Sequence, residues 1–157
     1  MTNVRLLSAV SALLVVGTLP LLARGNAVTV RLDVSGPTLS TPLQLTNRDL
    51  LDLSNVYAGQ FIGLPANRVD ADWPRYVVTL VVESRTPLPT LALTGIQKRY
   101  VVHYALDRQS GEGFVYLPGR GEDGYRENIG LMIRDDQDGR WHHATETWAA
   151  LLNPYLP

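Results

Sequence analysis

Three glycines in the C-terminal half of the chain have the spacing of a dinucleotide-binding motif. Gly119, Gly121 and Gly124 spell G-x-G-x-x-G directly after the strand-like run FVYLP. In that motif the glycine loop opens a helix whose N-terminus holds the pyrophosphate within a βαβ unit. Here Glu122 and Asp123 lie between the last two glycines and would repel phosphate, and the following residues predict a loop and then a strand. We therefore expect a wide turn with glycine at positive φ, and no bound nucleotide.

The same segment carries side chains suited to binding a ligand. Arg120 and Arg126 can each hold a carboxylate or sulfate through paired hydrogen bonds, and Tyr125 can stack on a sugar ring. Loops carried by a rigid sheet are common places for binding groups, so these residues, Asn128 and His142 are candidate ligand contacts. Two interpretations stay open. The residues bind a ligand, or the arginines and acids pair with each other and fix Pro118–Asn128 as an ordered loop.

Aspartates cluster in the run DDQDG, which ends at Gly139. A calcium loop of the EF-hand type needs acids at positions 1, 3 and 5, glycine at position 6 and glutamate at position 12. With Gly139 at position 6, Arg134 and Thr145 occupy positions 1 and 12, so both ends fail. We expect these aspartates to form an ordinary turn and predict no metal site.

Three histidines are available for catalysis or metal binding. His142 and His143 are adjacent, so in a strand they point to opposite faces and cannot chelate one metal together. His103 belongs to another predicted strand. We expect each histidine to be structural and predict no cofactor. A hydrolase that uses His142 or His103 with a nearby acid stays open, although no serine lies in a G-x-S-x-G elbow.

Composition excludes several classes of protein. The chain has 157 residues, of which 45% are hydrophobic and 18% charged, as expected for one globular domain. Its formal charge is -1 and it contains no run of basic residues, so nucleic acid is not an expected partner. It has no cysteine, which excludes disulfides, thiolate metal sites and a cysteine nucleophile.

Residues 1–27 have the pattern of an export signal. Arg5 precedes an uncharged, mostly apolar run over residues 6–23, and small residues follow at Gly25 and Ala27. As a helix the 18-residue run spans ~27 Å, close to the roughly 30 Å of a bilayer's apolar core, so an uncleaved membrane anchor is an alternative. A buried core helix is a third alternative, but the run lacks the polar stripe that an amphipathic core helix would have. Residues 28–157 are expected to form one extracytoplasmic domain with 12 basic and 15 acidic residues.

The pattern along that domain predicts a mainly β fold, on the border of α+β. We expect an antiparallel sheet of five to six strands with one short internal helix and a C-terminal helix. Tyr76–Ser84 and Gln97–Leu106 are rich in β-branched residues and belong at the sheet centre, with Val78 and Val101 in the core. The other predicted strands are 27–34, 114–118, 129–134 and 140–144. In the first of these, Thr29, Arg31 and Asp33 are expected to share the polar face, and the last two are expected to pair through the DDQDG turn. The predicted helices are within 46–55, capped by Thr46 or Asn47, and within 145–153, capped by Thr145. Residues 56–75 are expected to form an irregular loop with Phe61 buried.

The C-terminal part also resembles a group of known sequences. The runs GFVYLPGRGEDGYRENIGLMIR and DGRWHHATETWAALL are similar to the C-terminal signature of short exported bacterial proteins with no known activity. The shared features are Y-L-P-G-x-G, Tyr125, Asn128, D-G-x-W-H and a second tryptophan, all within residues 100–152. The resemblance implies an extracytoplasmic domain and supplies no catalytic residue.

Three functional hypotheses follow. The first is a non-enzymatic binding module at the cell surface, whose partner is wall sugar, a small ligand or another protein. The second is the small secreted hydrolase with a histidine–acid pair. The third is a structural component of an envelope assembly, attached to the membrane by the N-terminal segment if that segment is not cleaved.

Overall fold

The computed structural model describes residues 26–85 and 97–157, so the predicted signal or anchor helix lies outside the described residues. The described residues include short 3-10 turns at Asp135–Gln137 and Asn153–Tyr155. The strands are β1 (Asn26–Ser35), β2 (Leu43–Leu45), β3 (Ile62–Pro65), β4 (Arg75–Arg85), β5 (Gln97–Leu106), β6 (Gly113–Leu117) and β7 (Arg140–Ala144). The helices are α1 (Arg48–Leu53), α2 (Tyr125–Ile129) and α3 (Glu146–Leu152).

The seven strands of the described residues form one antiparallel sheet in the order β2-β1-β4-β5-β6-β7-β3. The predicted mainly β class and antiparallel pairing are therefore confirmed, with one or two more strands than expected. β4 and β5 are the third and fourth strands of the seven and pair over nine residue positions. Their placement at the sheet centre is also confirmed.

Two edge strands were missed and one predicted strand is wrong. β3 lies in the segment expected to be irregular, and its Pro65 is tolerated because β3 is an edge strand paired only with β7. Residues 129–134 were expected to form a strand, but α2 ends there and a turn follows, with the amides of Leu131 and Met132 donating to the carbonyl of Asn128. Leu131 and Met132 pack against the core from this turn.

A β-bulge in β1 reverses part of the predicted alternation. The register with β4 shifts between Thr29 and Arg31, so Thr29 lies opposite Val82 on the core side. Thr29 is buried, and its hydroxyl donates to the carbonyl of Ser54 at 2.6 Å. The expectation that Thr29 shares the polar face with Arg31 is therefore wrong.

The core lies between one sheet face and the helices α1 and α3. Trp148 of α3 contacts Phe61 and Tyr104, with ring centroids 5.7 and 5.5 Å away, and its indole N–H donates to the Ser54 hydroxyl at 2.8 Å. Burial of Phe61 is confirmed. The Asn47 side chain accepts from the amide of Leu50 at 3.1 Å and caps α1, as predicted.

α3 begins after Thr145, but this residue does not cap it through its side chain. The Thr145 hydroxyl donates instead to the carbonyl of Gln60 at 2.7 Å, which ties the start of α3 to the segment before β3. Val101, expected in the core, is half-buried and belongs to the opposite sheet face from Tyr100 and Val102. Val78 is completely buried, as predicted.

Candidate functional site

The sheet face opposite the core carries a continuous set of aromatic side chains. Strand alternation places His103, Tyr116 and Trp141 in one row across β5, β6 and β7, because these residues are register partners. The next row contains Phe114 of β6 and His143 of β7. We call the following set the aromatic face: Trp73, Arg75, His103, Phe114, Tyr116, Trp141 and His143.

Phe114 is the buried centre of this face. The Trp73 ring, just before β4, stacks on Phe114 with centroids 5.1 Å apart and planes at 26°. The His143 ring contacts Phe114 at 4.9 Å. These contacts leave Phe114 only 3% exposed although the helices α1 and α3 lie on the other side of the sheet. Trp73 is half-buried and His143 exposed, so both can meet a ligand.

The row His103–Tyr116–Trp141 combines aromatic rings with a nearby charged group, Arg75. Tyr116 contacts the rings of Trp141 at 5.2 Å and His103 at 5.9 Å. The Arg75 guanidinium lies 5.4 Å from the centroid of the Trp141 ring, within range of a cation–π interaction. Tyr116, Trp141 and His103 are half-buried and Arg75 is exposed. The row therefore offers ring faces and hydrogen-bond donors together.

Glu122 joins the glycine loop to the aromatic face. The Tyr116 hydroxyl donates to both Glu122 carboxylate oxygens at 2.9 Å, and the Gly119 amide donates to one of them at 2.7 Å. Burial, followed by the bond to Glu122 and its charge, raises the pKa of Tyr116 to about 12. Tyr116 therefore keeps its proton and holds the loop against the sheet.

The surroundings of His103 favour its neutral form. Burial is the largest cause of this, and it lowers the pKa of His103 below its ordinary value of 6.5. The nearby carboxylates of Glu122 and Asp123 oppose this shift, and Arg75 reinforces it. A neutral imidazole can accept a proton or a hydrogen bond, so His103 can act as a base or as a ligand contact.

The glycine loop is fixed differently from the prediction. Gly121 and Gly124 have φ of +88°, which confirms the expected positive φ. The expected pairing of Arg120 and Arg126 with acids is wrong, since the ion pairs of residues 26–85 and 97–157 involve other residues, Arg31–Asp33 and Arg48–Asp52. The acid that orders the loop is Glu122, through a phenol and a backbone amide.

A helix does follow the glycines, contrary to the prediction of a loop and strand. Gly124 is the N-cap of α2, which has only five residues. A dinucleotide motif nevertheless requires a βαβ unit with parallel strands around the glycine loop. Here β6, the strand before the loop, pairs antiparallel with both β5 and β7.

Asn128 is a structural residue. It is 3% exposed, its side-chain N–H donates to the carbonyl of Val101 at 2.8 Å, and its side-chain oxygen accepts from the Val101 amide at 2.6 Å. β6 pairs with β5 only from His103 onward, so the Asn128 amide takes the place of a neighbouring strand at Val101. It fixes α2 to the part of β5 that β6 does not cover.

The other predicted site residues do not converge. His142 is 1% exposed and lies on the core side of the sheet. Its Nε2 is 3.0 Å from the carbonyl oxygen of Gln137 and donates to it, because a carbonyl oxygen can only accept. Tyr125 and Arg126 line an open depression of about 620 Å³ formed by residues 121–127 and Ile129. Arg120 is exposed and is not among the residues that line it.

The predicted separation of the adjacent histidines is confirmed. His142 faces the core, while His143 is exposed beside Phe114. The predicted turn after Arg134 is also confirmed, and its Asp138 carboxylate accepts from the Arg134 amide at 3.1 Å. Within residues 26–85 and 97–157, no three histidine or acidic side chains are placed to hold a metal ion.

A second depression, of about 460 Å³, contains the residue types of a hydrolytic triad. Ser110, His143 and Glu146 line it together with Glu112. However, the Ser110 hydroxyl donates to the Asp107 carboxylate at 2.7 Å and not to a histidine. A nucleophile activated by a neighbouring base is therefore not assembled here.

Sequence reasoning missed the aromatic face. Its signal was present, because Phe114 and Tyr116 alternate on β6, as do Trp141 and His143 on β7. Recognising it required knowing that these strands are neighbours, whereas the sequence suggested residues 129–134 as the partner of β7.

Comparisons with family models, curated proteins and solved structures find no match to this chain. Among the helices in the described part of the chain, none is long and apolar enough to cross a membrane. The assignment of a function therefore depends on the geometry of the site.

Proposed function

We propose that this protein is an extracytoplasmic, non-enzymatic binding module whose binding surface is the aromatic face. The observation that supports this most is the row His103–Tyr116–Trp141 on the sheet face opposite the core, with Arg75 above Trp141. Tryptophan, tyrosine and arginine are the residues that dominate binding energy at interfaces. A sheet provides rigid positions for them, so little conformational entropy is lost on binding.

The export part of the proposal is supported by the order of features in residues 1–27, where Arg5 precedes the apolar run over residues 6–23 and small residues follow it. Cleavage would release the domain, whereas retention would hold β1 close to a membrane, since β1 begins at Asn26. Cell-wall material is the partner class that this location makes available in a bacterium. We favour binding over a purely structural envelope role because Tyr116 and Trp141 remain partly exposed on the sheet face opposite the core.

Hydrolysis is the second candidate, supported by a neutral His103 near Glu122. We favour binding because the Glu122 carboxylate is already held by Tyr116 and Gly119. The hydroxyl of Ser110 is likewise engaged by Asp107. Neither group is available in the arrangement that an acid–base pair or an activated nucleophile requires.

A cosedimentation assay with isolated bacterial cell walls tests the proposed function. Purified full-length protein should sediment with the walls, and Trp141→Ala should weaken this at least about tenfold, the effect typical of a central aromatic contact. Tyr155→Ala is the matched control, because Tyr155 is 42% exposed and lies outside the aromatic face. Equal sedimentation of both variants and the unchanged protein would contradict the proposal, as would no sedimentation at all.

A further inference from the structure

We propose that the ligand is an acidic saccharide, whose sugar ring packs on Trp73 and whose carboxylate binds Arg75. This inference rests on the proposed function and names the class of ligand. It is argued from the depression at one end of the aromatic face, from the charges that line it and from the ring that forms its wall.

The depression has a volume of about 630 Å³ and shares Trp73 and Arg75 with the aromatic face. A ligand that occupies it therefore also reaches toward Trp141, over which the Arg75 guanidinium lies. The remaining lining residues are Pro37, Thr38, Ala71, Asp72, Pro74 and Arg108. This size accommodates one or two sugar rings and leaves room for a longer chain across the sheet.

The charges favour a carboxylate together with hydroxyl groups. Arg75 is exposed and takes part in neither ion pair of the described residues. Arg108 also lines the depression, where one of its N–H groups donates to the backbone oxygen of Pro157. The planar guanidinium matches a carboxylate with two parallel hydrogen bonds. Asp72, the acid in the lining, can accept from sugar hydroxyls.

Trp73 favours a saccharide over a free anion, and Arg75 favours an acidic saccharide over a neutral one. Its ring is held in place by stacking on Phe114 and is half-buried. A rigid indole offers a flat apolar surface of the size of a pyranose ring, whose C–H face can pack against it. A small anion lacks that face and a neutral sugar lacks the charge for Arg75. An acidic saccharide uses both groups.

Isothermal titration calorimetry of purified full-length protein tests this assignment. The probes are an oligogalacturonate, the same oligomer with its carboxyl groups reduced, and polyglutamate. The oligogalacturonate should bind most tightly. Arg75→Gln should weaken it by about ten- to hundredfold, as expected for a lost charge-assisted contact, and leave the reduced oligomer unchanged. Trp73→Leu, which still covers Phe114, should weaken both oligomers. Arg48→Gln is the control, since its side chain is 92% exposed on α1.

The outcomes separate this inference from the proposed function. Equal affinity for the charged and reduced oligomers, or no effect of Arg75→Gln, overturns the acidic saccharide and leaves the binding surface in place. Polyglutamate binding as tightly as the oligogalacturonate also overturns it, because charge alone would then suffice. Absence of binding to all three probes overturns the inference as well, and the cell-wall assay with Trp141→Ala then decides the proposed function.

Discussion

Replacing Asn128 with alanine should destabilise the domain without changing the affinity of the folded protein for its ligand. The Asn128 side chain makes two hydrogen bonds with the backbone of Val101, at 2.6 and 2.8 Å, and is 3% exposed. Removing it leaves a backbone N–H and a carbonyl at the edge of β5 without partners. Each unsatisfied group costs about 1–3 kcal/mol, and water entering from the sheet edge moderates the sum, so we expect a loss of about 2–4 kcal/mol. At roughly 3–4 °C per kcal/mol, Tm falls by about 6–16 °C.

Urea denaturation followed by circular dichroism measures this loss. Asn128→Asp is a second test, because it keeps the acceptor but replaces the donor with an oxygen facing the Val101 carbonyl, and it should be at least as damaging. Asn67→Ala is the control, as Asn67 is exposed and should change stability by less than about 0.5 kcal/mol. A stable Asn128→Ala variant that no longer binds cell walls would refute the structural role and return Asn128 to the ligand site.

Three other predictions concern the loop, the core and pH. Gly121→Ala should cost about 1 kcal/mol in urea denaturation, because φ is +88° but the space is open, whereas Gly124→Ala should cost more since its Cβ would lie 2.9 Å from Val101. Equal losses would contradict this. Val78→Asp should unfold the domain by circular dichroism, whereas Val101→Asp, at a half-buried site, should fold with a lower Tm. The pKa of His103 is lower in the folded state than in the unfolded state. As the pH drops below 6.5, the unfolded chain therefore binds the proton before the folded one, and the free energy of unfolding should fall. His103→Gln should reduce that fall, and an unchanged pH dependence would refute the assignment.

The central strands could be predicted because their local sequence decides their structure. β4 and β5 are long and rich in β-branched residues, so their pattern is unambiguous. β2 and β3 have only three and four residues, and β3 contains glycine and proline. Such strands form through pairing with a neighbour, which the sequence does not reveal.

Tertiary contacts also explain the errors at α2 and β1. The apolar residues after Asn128 suggested a strand, but the bonds from Asn128 to Val101 fix a short helix there. The bulge in β1 turns Thr29 inward, where Ser54 accepts its hydrogen bond. In both cases a polar side chain finds a partner distant in sequence.

The candidate site was predictable only in part. The glycine loop was recognised by its residue types, and it does contact the aromatic face, through Glu122. The rows of the face depend on which strands are neighbours and on their register, and Trp73 joins it from outside any strand. These features follow from the assembled sheet and not from local sequence.

The most direct test of the binding surface follows the three tryptophans of the chain by NMR. Two of them, Trp73 and Trp141, belong to the aromatic face, while Trp148 is buried in the core with its indole N–H bonded to Ser54. Titration of the full-length protein with solubilised cell-wall oligosaccharide should move the indole N–H signals of Trp73 and Trp141 and leave that of Trp148 in place. Signal changes confined to the amides of residues 120–126, or no changes at any concentration, would contradict the assignment of the aromatic face as the binding surface.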